Sequence, residues 1–214
     1  THAHIDHSGL LPKLMLAGFE GPIWATAATR DLAAVMLVDA GGIQENEVES
    51  LNRRNQRRGI PPVEPIYTAE DGKAVAAQFR KAKLGEPVTI AEGITATWWP
   101  AGHMLGAASI AVEVGSPGQT KTLLFSGDLG PGGSPFVDDP DGPAGVDHLI
   151  IESTYGDRER TGFDSASRRR QLAEEVRAAR EAGGPLLIPA FAVERSQELL
   201  VDLLELMDAG EVPK

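Results

Sequence analysis

Thr1-His2-Ala3-His4-Ile5-Asp6-His7-Ser8-Gly9 opens the chain and sets three imidazoles and a carboxylate side by side. Only five histidines occur in 214 residues, so this density asks for a chemical cause. Imidazole nitrogen and carboxylate oxygen are the ligands of zinc and its borderline neighbours, and the absence of cysteine excludes a thiolate site. At spacing two, His2, His4 and Asp6 share one face of an extended segment, with Ala3 and Ile5 turned to the core. Two metals need more ligands than this cluster holds, and two later loops offer them. His103 stands in Trp98-Trp99-Pro100-Ala101-Gly102-His103-Met104-Leu105-Gly106 and Asp128 in Phe125-Ser126-Gly127-Asp128-Leu129-Gly130, each after a strand-like run. Flanking glycines let the backbone turn sharply and come close to an ion. The set His2, His4, Asp6, His7, His103 and Asp128 therefore reads as the shell of a two-metal hydrolase, with zinc expected and manganese as the alternative.

Around these loops the chain alternates short β-branched runs with helical stretches, the pattern of an α/β protein. The spacing predicts a helix over 8–17, a strand over 22–26, and a helix over 28–40 carrying Leu32, Val35, Met36 and Val38 up to a break at Gly41-Gly42. A polar helix follows over about 43–57. Thr68 with Asp71 resembles a capping box and starts a helix running to about Lys81. Strands are expected near 87–91, 94–99, 107–114 and 121–126, then a Gly/Pro/Asp loop over 130–145. Beyond it the pattern changes to strand 147–152, helix 165–182, strand 185–189 and helix 193–208. That loop is the expected domain boundary.

The 42% apolar content supports a packed core, and no apolar run approaches the roughly 20 residues of a membrane helix. Zero cysteines fits a cytoplasmic protein. A net charge of −11 argues against a broad nonspecific grip on nucleic acid, although two dications would make a cleft locally positive. The chain opens on Thr1 without an initiator methionine and is expected to be a fragment of a longer protein.

The order H-x-H-x-D-H, the glycine-flanked histidine and Ser126-Gly127-Asp128-Leu129-Gly130 resemble the metallo-β-lactamase superfamily. Pro100-Ala101-Gly102-His103-Met104-Leu105-Gly106-Ala107-Ala108, Glu152-Ser153-Thr154-Tyr155-Gly156-Asp157-Arg158 and Ile188-Pro189-Ala190-Phe191-Ala192-Val193-Glu194-Arg195-Ser196-Gln197-Glu198 resemble its β-CASP branch of RNA-processing nucleases. The resemblance implies an incomplete αββα sandwich core over 1–145, followed over 146–214 by a strand returning to that core and the first half of an α/β β-CASP domain. It implies that His2, His4 and His103 hold one metal and Asp6 and His7 the other, with Asp128 bridging. Glu152 matches a carboxylate that orients a later catalytic histidine, and Asp6 would also orient the attacking hydroxide. The implied activity is hydrolysis of RNA phosphodiester bonds by a hydroxide activated by two zinc ions, on single-stranded RNA, with a homodimer as the candidate assembly. One family histidine for the second metal lies past residue 214, so weak second-metal binding and little activity are expected of these residues alone. Arg160 stands where the family often has histidine and receives no role.

Two rival readings keep their place, a nonenzymatic scaffold homologue and a small-molecule thioesterase of the same superfamily. Among the remaining residues, His148 starts a strand and fills no ligand slot. The runs Arg53-Arg54-Asn55-Gln56-Arg57-Arg58 and Arg168-Arg169-Arg170 read first as solvated helix faces, with RNA contact as the rival. Trp98 and Trp99 point opposite ways on a strand, which favours core packing over a stacking platform. Glu194 and Arg195 open a helix and read as structural.

Overall fold

The computed structural model describes residues 1–116, 118–159, 162 and 164–213; Arg160 lies outside them. Two short helices, α1 (Ile5–Ser8) and α2 (Leu11–Leu16), lead to strand β1 (Ile23–Ala25) and helix α3 (Ala27–Arg57). Helix α4 (Ala69–Val75) tightens into a 3-10 turn over Ala76–Gln78 and enters β2 (Phe79–Lys81). Strands β3 (Val88–Ala91), β4 (Ile94–Pro100), β5 (Ala108–Ser116) and β6 (Gln119–Phe125) form an antiparallel meander, and β7 (His148–Ile150) joins β6 in parallel. Helices α5 (Ser165–Ala182) and α6 (Arg195–Asp208) close the order. The architecture is α/β, with β1 and β2 as a parallel pair beside the five-stranded sheet.

Two glycines expected to end a helix instead sit inside one. Helix α3 runs unbroken through Gly41-Gly42, although glycine costs a helix interior about 1 kcal/mol relative to alanine. The compensation is tertiary. A Cβ on Gly41 would stand 2.6 Å from the Thr68 carbonyl oxygen, and one on Gly72 would strike the Leu37 carbonyl. The two helices thus meet backbone to backbone. The Thr68–Asp71 capping box is formed, with Asp71 N–H donating to Thr68 Oγ1 at 3.2 Å and Thr68 N–H to Asp71 Oδ2 at 2.8 Å. Helix α4 stops well short of Lys81 because residues 79–81 pair with β1, Ile23 opposite Phe79 and Ala25 opposite Lys81.

Leu37, Val75, Ala33, Ala25 and Phe79 are buried together between α3, α4 and this strand pair, with Leu32 and Met36 packed against them. Val35 belongs to the outer face and is exposed. Trp98 fills a second core with Ala82, Ala96 and Ala108, in keeping with its place on the inward side of β4. Residues 185–189 form no strand. Leu187 is 91% exposed, and no neighbouring strand among the described residues offers a ladder.

Helices α5 and α6 pack through Leu172, Ala173 and Leu206, with Val212 just beyond α6 in the same cluster, and an ionic network locks their crossing. Arg168 grips buried Asp202 with Nε at 2.6 Å and a second nitrogen at 3.3 Å, while its remaining nitrogen lies 3.6 Å from Glu198. Arg169 pairs with Glu205. The run read as a solvated face thus spends two of its three guanidiniums between helices, whereas Arg53 keeps an exposed i,i+4 pair with Glu49 at 2.7 Å. Asp202→Ala would strand the Arg168 charge. Breaking a buried pair costs about 3–5 kcal/mol, and Arg168's partial exposure and second partner place the expected loss near 3 kcal/mol. Urea unfolding of the variant checks this; an unchanged midpoint would show the pair to be dispensable.

Candidate metal centre

The amino-terminal segment does not stay extended. After His4 the chain turns into α1, with His7 and Ser8 N–H groups both donating to the His4 carbonyl at 3.0 and 2.9 Å, and Ser8 Oγ donating back to the Ala3 carbonyl at 2.9 Å. Ala3 is buried as expected, but Ile5 is exposed, and the helical turn moves Asp6 off the face shared by His2 and His4. That corrects the spacing-two reading. A hydrogen-bonded turn has replaced the period of two.

His103 lies on the loop between β4 and β5, which closes on itself through Ala101 N–H to the Ala107 carbonyl at 3.2 Å and Ala107 N–H to Met104 at 2.9 Å. Its far end is pinned to the start of α3. The hydroxyls of Thr26 and Thr29 both donate to the Gly106 carbonyl, at 2.6 and 2.8 Å. Gly106 has φ +85°, and a Cβ there would lie 2.6 Å from the Thr29 nitrogen. Only glycine lets the loop settle so closely on the helix end.

Asp128 follows β6, and its loop is stacked on the His103 loop. Gly130 N–H donates to the Ala101 carbonyl at 2.8 Å, and a Cβ on Gly130 would run into the Gly102 carbonyl. Glu152, two residues beyond β7, accepts from Leu129 N–H at 2.8 Å and from Thr154 N–H at 3.3 Å. The Leu129 bond is the main reason its carboxyl is held below the usual range, with Thr154 adding to it. Glu152 is thus an ionised brace on the Asp128 loop.

Four side chains from these three segments converge. Nε2 of His2 and of His103 each lie 3.1 Å from His4 Nδ1, and they lie 3.8 and 3.7 Å from Asp128 Oδ2. Four ligands about 2.0–2.1 Å from a tetrahedral zinc stand roughly 3.3 Å apart, so these residues fit such an ion. His7 Nε2 lies 3.2 Å from Asp128 Oδ1 and 3.5 Å from Asp6 Oδ2, which leaves Asp128 with one oxygen toward each group. Asp6 is the outermost, its side chain 75% exposed. His2 is 3% exposed, and burial, reinforced by the facing imidazoles, pushes its pKa down to about 2. Burial lowers His103 as well. Neutral imidazole is the form that binds metal. His148 stands exposed at the start of β7, and no ligand group among the described residues includes it.

The chain is 34% identical over 200 residues to Ribonuclease TTHA0252 of Thermus thermophilus, covering 94% of this chain and 41% of that protein. It is 33% identical over 217 residues to Transcription termination factor FttA of Methanothermobacter thermautotrophicus, 100% of this chain and 32% of that one. The chain belongs to the β-CASP branch of the metallo-β-lactamase superfamily. This β-CASP chain thus spans well under half the length of the relatives it matches. No family model matches it. Rm3 metallo-beta-lactamase superposes over 99% of the β-CASP chain with a TM-score of 0.34 and 17% identity, too loose a likeness to argue from.

Sequence reasoning missed what aims the ligands in this β-CASP chain. Thr26 read only as the end of a strand and Thr29 as part of a helix, and nothing local linked them to a carbonyl some 80 positions later. Gly130 was visible as a flanking glycine. Gly102 was visible in the same way, but not that the two glycines meet.

Proposed function

We propose that the full-length protein is a zinc-dependent ribonuclease acting on single-stranded RNA inside the cell, with residues 1–145 in its metallo-β-lactamase core and 146–214 reaching into its β-CASP domain. The convergence of His2, His4, His103 and Asp128 carries the reading. His2, His4 and His103 would hold one ion and Asp6 and His7 the other, with Asp128 shared. A zinc pair supplies a water acidified to a pKa near 7 and positive charge for the phosphoryl oxygens. The chain supplies the rest. Burial keeps His2 and His103 unprotonated, Glu152 fixes the loop that aims Asp128, and the exposed Asp6 carboxylate is free to accept a hydrogen bond from the attacking water.

The similarity to a ribonuclease and to a transcription termination factor supports RNA as the substrate. A helical pair with its own small core, α5 with α6, supports a second domain after β7. Removing metal from the full-length protein with a chelator is expected to abolish cleavage of a single-stranded RNA, and zinc is expected to restore it with about two ions bound. Cleavage that survives complete metal removal would refute the reading, and thioester turnover without RNA cleavage would replace it with the esterase.

A further inference from the structure

Glu194 is the only described non-glycine residue with positive φ, at φ 68° and ψ −66°. Arg195 N–H donates to the Val193 carbonyl at 3.0 Å, so Glu194 is the centre of a γ-turn of the rare, strained hand. Such a backbone persists only where surrounding contacts over-determine it. Those contacts lead to the His103 loop. Val193 packs against Ala101, Met104 and Ala107, the Leu105 N–H faces the Glu194 carboxylate, and Ser134 Oγ donates to Glu194 Oε1 at 3.4 Å. The side chain is half-buried, and it has no part in the metal set described above.

We infer that Glu194 is a positioning residue for the metal centre: its strained turn delivers a carboxylate from the start of α6 onto the loop that carries His103, and so couples metal binding to the α5–α6 unit. Thr26 and Thr29 hold that loop at Gly106, and the Glu194 carboxylate faces it at the adjoining Leu105. The inference rests on the metal-centre reading.

The two residue properties, backbone and carboxylate, can be separated in the full-length protein. Glu194→Gly accepts φ +68° without steric cost but deletes the carboxylate. The expected result is a melting temperature of the metal-free protein at or above that of the parent, together with zinc affinity weakened about 10-fold or more in chelator competition, the scale of losing a partner behind a metal ligand. Amide exchange at Leu105 should quicken in step. Glu194→Gln keeps an acceptor oxygen and should bind zinc within about threefold of the parent. Glu194→Ala, strained as before, should weaken zinc binding as Gly does. Unchanged zinc affinity in Glu194→Gly overturns the inference, as does weak binding confined to the Ala variant, which would assign the effect to backbone strain. A parent protein that binds no zinc at all refutes the metal centre itself and this inference with it, a result visible before any variant is compared.

Discussion

Asp128→Ala in the full-length protein is expected to lose RNA hydrolysis by about a thousandfold or more, with the zinc content falling below two ions per chain. The reason is the position of its two oxygens. Oδ2 lies 3.8 and 3.7 Å from the ring nitrogens of His2 and His103, while Oδ1 lies 3.2 Å from His7, so one residue serves both groups. His2, His4 and His103 remain for one weakly held ion, while His7 and Asp6 lose the residue that joined them to it. The charge stabilisation a metal gives a phosphoryl transition state is several kcal/mol, and about 4 kcal/mol is a thousandfold in rate. Asp128→Asn should fall nearly as far, since an amide keeps the shape but offers a single neutral oxygen. RNA turnover and zinc content measured on the same preparation decide the matter. Two zinc ions and normal turnover in Asp128→Ala would remove Asp128 from the centre.

Gly130→Ala should do comparable harm without touching a ligand. The added methyl would collide with the Gly102 carbonyl and sit 2.8 Å from the His103 nitrogen, both backbone atoms that cannot swing aside as a side chain would. Gly130 has no positive φ, so the penalty is collision and not conformation. Overpacking costs about 1–3 kcal/mol where neighbours can shift, and here the shift must separate the Asp128 loop from the His103 loop and stretch the Gly130-to-Ala101 hydrogen bond. We expect about 3 kcal/mol of lost stability and at least tenfold weaker zinc binding. A thermal melt and a chelator competition report the two effects separately. If stability falls while zinc affinity holds, the stacking of the loops matters to the fold alone.

Helix α3 and the Arg168–Arg170 run show where local reading stops. Gly41 and Gly42 carry the ordinary signature of a helix end, and nothing nearby tells that α4 approaches closely enough to need the missing side chain. Arg168 and Arg169 look like a solvated face until α6 brings Asp202 and Glu205 across from them. Phe79–Lys81 continues a helical period, yet β1 captures it as a strand. In each case the deciding partner is distant in sequence, and its free energy exceeds the tenths to about 1 kcal/mol of local preference.

Side-chain chemistry needed no fold. Six residues of zinc-ligand type, their glycine-flanked loops and the strings around His103, Glu152 and Glu194 were legible in the chain, as were the alternation of strand and helix and the Thr68 cap, because each depends on residue type and short spacing. The tertiary structure alone decided that Asp6 leaves the face of His2 and His4, that Asp128 turns one oxygen to each group, and that Thr26, Thr29, Gly130 and Glu194 hold the loops in place. Those outcomes are set by backbone groups meeting across long stretches of chain, and a carbonyl or an N–H is the same atom in every residue, so no sequence pattern marks which one will be met.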